Sequence, residues 1–70
     1  MTDYAVRIRQ PDKNRSSFLD TWATEELAKK RLRSYIEERG GIVQASNRSG
    51  SFFDKETRRV VEVYIEAIHW

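Results

Sequence analysis

Catalysis needs nucleophiles, bases or metal ligands at workable spacing, and this 70-residue chain supplies few of them. The only histidine, His69, is the penultimate residue, a position that is usually frayed and solvated and therefore poor for a general base. The serines lack the strand-turn-helix elbow that exposes a nucleophile beside an oriented base. Cysteine is absent, which removes disulfides and thiolate metal sites together. Neither "DKET" nor "PDKN" has the ligand repeat of a calcium loop. Gly40 and Gly41 follow a helical segment instead of preceding one, so they are caps and not a phosphate cradle. The expectation is a non-enzymatic protein with no catalytic residues, no metal site, no cofactor and no small-molecule substrate.

Concentrated charge is the next resource. "KKRLR", residues 29 to 33, holds four cations in five positions. At 100° per residue, however, these side chains spread around a helix. Glu25 to Lys29 and Glu26 to Lys30 have the favourable i to i+4 order, and from Glu25 to Arg39 five basic residues meet four acidic ones. The run reads as a balanced, solvated exterior. Over the whole chain the net charge is +2, with +3 up to Tyr35 and −1 after it. This falls short of the basic stripe that by itself declares a nucleic-acid binder. If nucleic acid is bound, the cations available on one surface are Arg7 and Arg9 on the first strand with Lys13 and Arg15 at the adjacent turn.

These groups need elements to hold them. "YAVRIR" alternates, with Tyr4, Val6 and Ile8 on one face and Arg7 and Arg9 on the other, the period-2 signal of a half-buried strand. "QPDKNR" predicts a reversal, because proline presets one dihedral and Asx side chains bond their own backbone. "SSFLDTW" predicts a second strand with Phe18 and Trp22 on one side and Leu19 on the other; Asp20, on the side of Phe18 and Trp22, breaks the pattern. Thr24 can cap a helix running to Arg39, whose apolar half holds Leu27, Ala28, Leu32, Tyr35 and Ile36. "GIVQAS" predicts a third strand, with "NRSGS" as a turn or bulged loop and "SFF" resuming the strand before "DKET" turns the chain. "RRVVEVYIEAI" is the longest strand pattern, with Val61, Val63, Ile65 and Ala67 opposite Val60, Glu62, Tyr64, Glu66 and Ile68.

The order is β-β-α-β-β. It predicts a single α+β domain spanning 1–70, with two layers: one helix packed on a mainly antiparallel four-stranded sheet. The expected core is Val6, Ile8, Leu27, Leu32, Ile36, Val61, Val63 and Ile65. Burying each large side chain is worth about 1.5 to 3 kcal/mol, enough for a small core to fold without a metal or a bridge. The apolar-rich "VVEVYIEAI" is interrupted by Glu62 and Glu66, which argues against a membrane span, and the N-terminus lacks a signal pattern. A cytoplasmic location is expected.

One helix covers only one face of a sheet. Leu19, Val60, Tyr64 and Ile68 then belong to the other face, where an apolar cluster rimmed by Arg and Glu suits a protein partner or a second copy of the chain. Phe52, Phe53 and Trp70 are the residues that could fold back and cover them. The leading expectation is a small protein-binding module acting through the uncovered face, by self-association or by docking on a larger protein as a modulator or inhibitor. The alternative is a nucleic-acid-binding regulator using Arg7, Arg9, Lys13 and Arg15.

Overall fold

The computed structural model describes residues 1–10 and 15–70. One helix lies against one face of an antiparallel sheet, in a flat body of 38 × 23 × 16 Å. The elements are β1 (Thr2–Gln10), β2 (Arg15–Trp22), α1 (Glu25–Glu38), β3 (Ile42–Val43), β4 (Ser49–Asp54) and β5 (Arg59–His69). The sheet has five strands, not four, in the order β2-β1-β5-β4-β3. "GIV" and "SFF" are not two parts of one strand: Asn47 takes a left-handed φ of 59° and the Asn47 amide donates to the Gln44 carbonyl at 2.9 Å. The chain therefore doubles back, and β3 pairs antiparallel with β4. The expected turn at residues 11–14 lies outside the described residues; β1 pairs antiparallel with β2.

The first and last strands form the middle of the sheet, joined by a long ladder from Thr2↔His69 to Arg9↔Glu62. Because opposed residues share a face, this register sends Val6, Ile65 and Val63 to the helix side together. They meet Ala28, Leu32 and Ile36 of α1, with Val61 and Phe52 completing the core. Ile8 packs against this cluster half-buried, whereas Leu27, an expected core residue, stays 45% exposed. In its place Ala28 faces the sheet, and so small a side chain lets the helix backbone approach closely.

The helix is bounded as its sequence requires. The Thr24 hydroxyl accepts from the Leu27 amide at 3.3 Å, and Glu25 and Glu26 occupy the first turn, where the helix dipole favours carboxylates. At the other end Gly40 has φ +71°, and the Gly40 and Gly41 amides donate to the carbonyls of Glu37 and Ile36 at 3.1 and 3.0 Å. These are the paired bonds of a Schellman cap. On the exterior, Lys29 pairs with Glu25 at 3.1 Å and Arg33 with Glu37 at 2.7 Å. No ion pair joins Glu26 to Lys30 among the described residues.

Candidate functional site

One irregularity decides what the uncovered face presents. Between β1 and β2 the register jumps: Val6 opposes Asp20, but Arg7 opposes Phe18. Leu19 is the extra residue of a β-bulge. It turns with Asp20 toward the helix side and packs against the core, so the expected placement of Leu19 on the uncovered face is corrected. Phe18 goes there instead and stays 56% exposed. The same shift explains Asp20, the residue that broke the alternation. Its two carboxylate oxygens accept from Trp22 Nε1 and Arg31 Nε, each at 2.8 Å.

The face opposite α1 is then legible row by row from the register. Phe18, Arg7, Tyr64 and Ser49 form one row across β2, β1, β5 and β4. Arg9, Glu62 and Ser51 form the next toward one end, and Thr21, Ala5 and Glu66 the next toward the other. Val60 and Phe53 lie beyond one margin and Asp3 and Ile68 beyond the other. Val60, Tyr64 and Ile68 thus occupy the side expected of them, with Val60 53% exposed and Tyr64 and Ile68 half-buried. Ala5 is fully buried among its larger neighbours.

The residues that could have covered this surface do not. Phe52 points into the core, Phe53 is itself part of the surface at 55% exposure, and Trp70 remains 77% exposed at the margin. There the Trp70 indole donates to Asp3 Oδ2 at 2.9 Å and its amide to the Met1 carbonyl at 2.8 Å.

The charges on this face are mixed. Arg7 Nε lies 3.6 Å from Glu66 Oε2, and Arg9 stands opposite Glu62. Two arginines of β1 therefore run beside two glutamates of β5. Lys13 lies outside the described residues, and Arg15 is the first residue of β2.

Elsewhere chemistry is sparse. His69 Nδ1 shares a hydrogen bond with Thr2 Oγ1 at 3.0 Å on an exposed strand end. Among the described residues, no three His, Cys, Asp or Glu side chains are grouped to hold a metal ion, and no helix is long and apolar enough to cross a membrane. A shallow groove runs on the helix side from the end of α1 to the β4–β5 turn, because α1 at about 21 Å is shorter than β5 at about 37 Å. Its floor is Ile8, Phe52 and Val61, and Arg39 is stacked 3.7 Å over the Tyr35 ring on its wall. Sequence reasoning missed Phe18 and Phe53 as surface residues; only the bulge and the β4 register assign them. Comparison with protein-family models, curated proteins and solved structures gives no match to this chain.

Proposed function

We propose that this chain is a small, non-enzymatic protein-binding module that acts through the open face of its sheet. One observation carries the reading: Phe18, Phe53 and Val60 are each more than half exposed on a face that no element of the described chain covers. Large side chains left wet on one surface forgo burial worth about 1.5 to 3 kcal/mol each, which a partner recovers on docking. Tyr64 and Arg7, side by side in the middle of that face, are of the residue types that dominate interface energetics. The mixed polar rim matches the anatomy of a specific interface.

The nucleic-acid reading draws less support from the same geometry. Its cations Arg7 and Arg9 run beside Glu66 and Glu62, and carboxylates next to a phosphate track repel it.

A photo-activatable cross-linker in place of Tyr64, with a control at Ser34 on the exposed side of α1, tests the proposal in cells. Protein adducts formed from position 64 and not from position 34 are expected. Equal labelling at both positions, or adducts only with nucleic acid, would overturn it.

A further inference from the structure

One charge pair of the open face, Arg9 with Glu62, is arranged so that the face complements itself. Arginines occupy β1 at Arg7 and Arg9, and glutamates occupy the adjacent β5 at Glu62 and Glu66; of these, Arg9 and Glu62 stand at the same height along the strands. Consider two such faces stacked about a two-fold axis that lies between them, parallel to the strands and midway between β1 and β5. That rotation carries each β1 over the other copy's β5 without changing height. Arg9 comes to face the partner's Glu62, and Arg7 the partner's Tyr64. Ala5 comes to face the partner's Glu66.

Each contact occurs twice, as an isologous interface requires. Stacked sheets cross at about 30° because each is twisted, which draws the outer strands out of alignment but spares the two strands beside the axis. The aromatic Phe18 on β2 and Phe53 on β4 then flank the charged centre from opposite sides.

The edges of the sheet favour this stacking over strand addition. β3 has only two residues, and β2 carries the bulge at Leu19. Short edge strands and bulges are the devices by which sheets resist edge-to-edge pairing. A nucleic acid would meet carboxylates as often as cations here, and a partner of one strong charge sign would leave half of the charged groups opposed. A second copy brings each Arg9 against a Glu62 and leaves Arg7 and Glu66 of each chain paired with one another.

We infer that the open face pairs with the same face of a second copy, forming a two-fold dimer in which Arg9 of each chain meets the partner's Glu62. This rests on the protein-binding reading above and specifies its partner. Sedimentation of the purified chain over a wide concentration range, at low and high salt, is the test. A dimer is expected. Arg9→Glu and Glu62→Arg should each weaken it by about tenfold or more, because like charges then meet on both sides of the axis. The double exchange Arg9→Glu with Glu62→Arg should restore dimerisation to within about threefold, since opposite charges meet again. Both positions are exposed, and circular dichroism of every variant confirms folding. A monomer at all concentrations overturns the inference, as does a dimer indifferent to the single exchanges or not rescued by the double one. If the chain is monomeric yet cross-links from position 64 to a different protein, self-pairing fails and the protein-binding reading stands. If position 64 forms no specific protein adducts, both fail.

Discussion

Arg31 on the helix and Asp20 on β2 are joined at 2.8 Å, and the same carboxylate receives the Trp22 indole N–H at 2.8 Å. This ties the edge strand to the helix on the side of the sheet where Leu19 packs. It also accounts for the acidic residue among the apolar positions of β2. Removing Asp20 deprives both donors, so Asp20→Ala should lower stability by about 1 to 2 kcal/mol, a figure reduced from that of buried charged hydrogen bonds because both side chains are about a third exposed. A double-mutant cycle with Arg31→Ala, read by urea denaturation, should give a coupling of about 0.5 to 1 kcal/mol. A coupling near zero would mean that the contact adds nothing to the docking of α1.

The bulge makes opposite predictions for two adjacent residues that both look apolar. Leu19 is half-buried against the core, and Leu19→Ala should destabilise by about 1 to 3 kcal/mol, somewhat less than truncation of a fully buried leucine. Phe18 lies on the open face, and Phe18→Thr keeps a β-favouring side chain, so it should change the stability of the monomer by no more than about 0.5 kcal/mol. Thermal or urea unfolding of both variants decides between this arrangement and the simple alternation in which Phe18 is the inward residue.

Backbone strain is stored at Arg58, whose φ of 59° closes the β4–β5 turn with its amide donating to the Asp54 carbonyl at 2.7 Å. An L side chain there carries a penalty that glycine does not, partly offset by the freedom glycine has when unfolded. Arg58→Gly should therefore raise stability by about 0.5 to 1 kcal/mol. The contrasting substitution is Gly41→Ala, whose added methyl would collide with the Ser51 carbonyl oxygen and meet Phe52 Cβ at 2.6 Å. The collision is with backbone and cannot be relieved by a rotamer change. Gly41→Ala should thus cost more than Gly40→Ala, where φ is +71° but the space is open. Melting temperatures of the three variants provide the check.

Acid should loosen the start of the helix. The Glu25 carboxyl is held below its ordinary pKa by its hydrogen bond with Lys29, against a smaller opposing effect of desolvation, with the charges of Lys29 and Arg48 adding to the lowering. For a depressed carboxyl the stabilising contribution is present above the unfolded pKa and is lost as pH falls through the lower folded value. Carbon-13 titration of the Glu25 carboxyl should give a midpoint below that of an unstructured peptide. Lys29→Ala should move the midpoint back up, and an unchanged midpoint in that variant would remove Lys29 as the cause.

What the sequence determined by itself is what local rules govern. The period-2 alternation of β1 and β5 assigned their faces, since neighbouring side chains on a strand must point apart, and Thr24 and Gly40–Gly41 bounded the helix because orphan backbone groups at helix ends need partners. The separation of β3 from β4 was only half legible. "NRSGS" signals a turn, but whether a turn bends a strand or doubles it back depends on pairing with a neighbour. The central place of β1 beside β5 was not legible at all, because pairing between residues so far apart in the chain is selected by the packing of whole elements. The candidate face depended most on tertiary structure. A one-residue bulge opposite Val6 and Arg7 sends Leu19 into the core and Phe18 out of it, and no pattern within "SSFLDTW" says where the partner strand will skip a residue. Only when α1 offers Arg31 to Asp20, and the core offers space to Leu19, does that register become the favourable one.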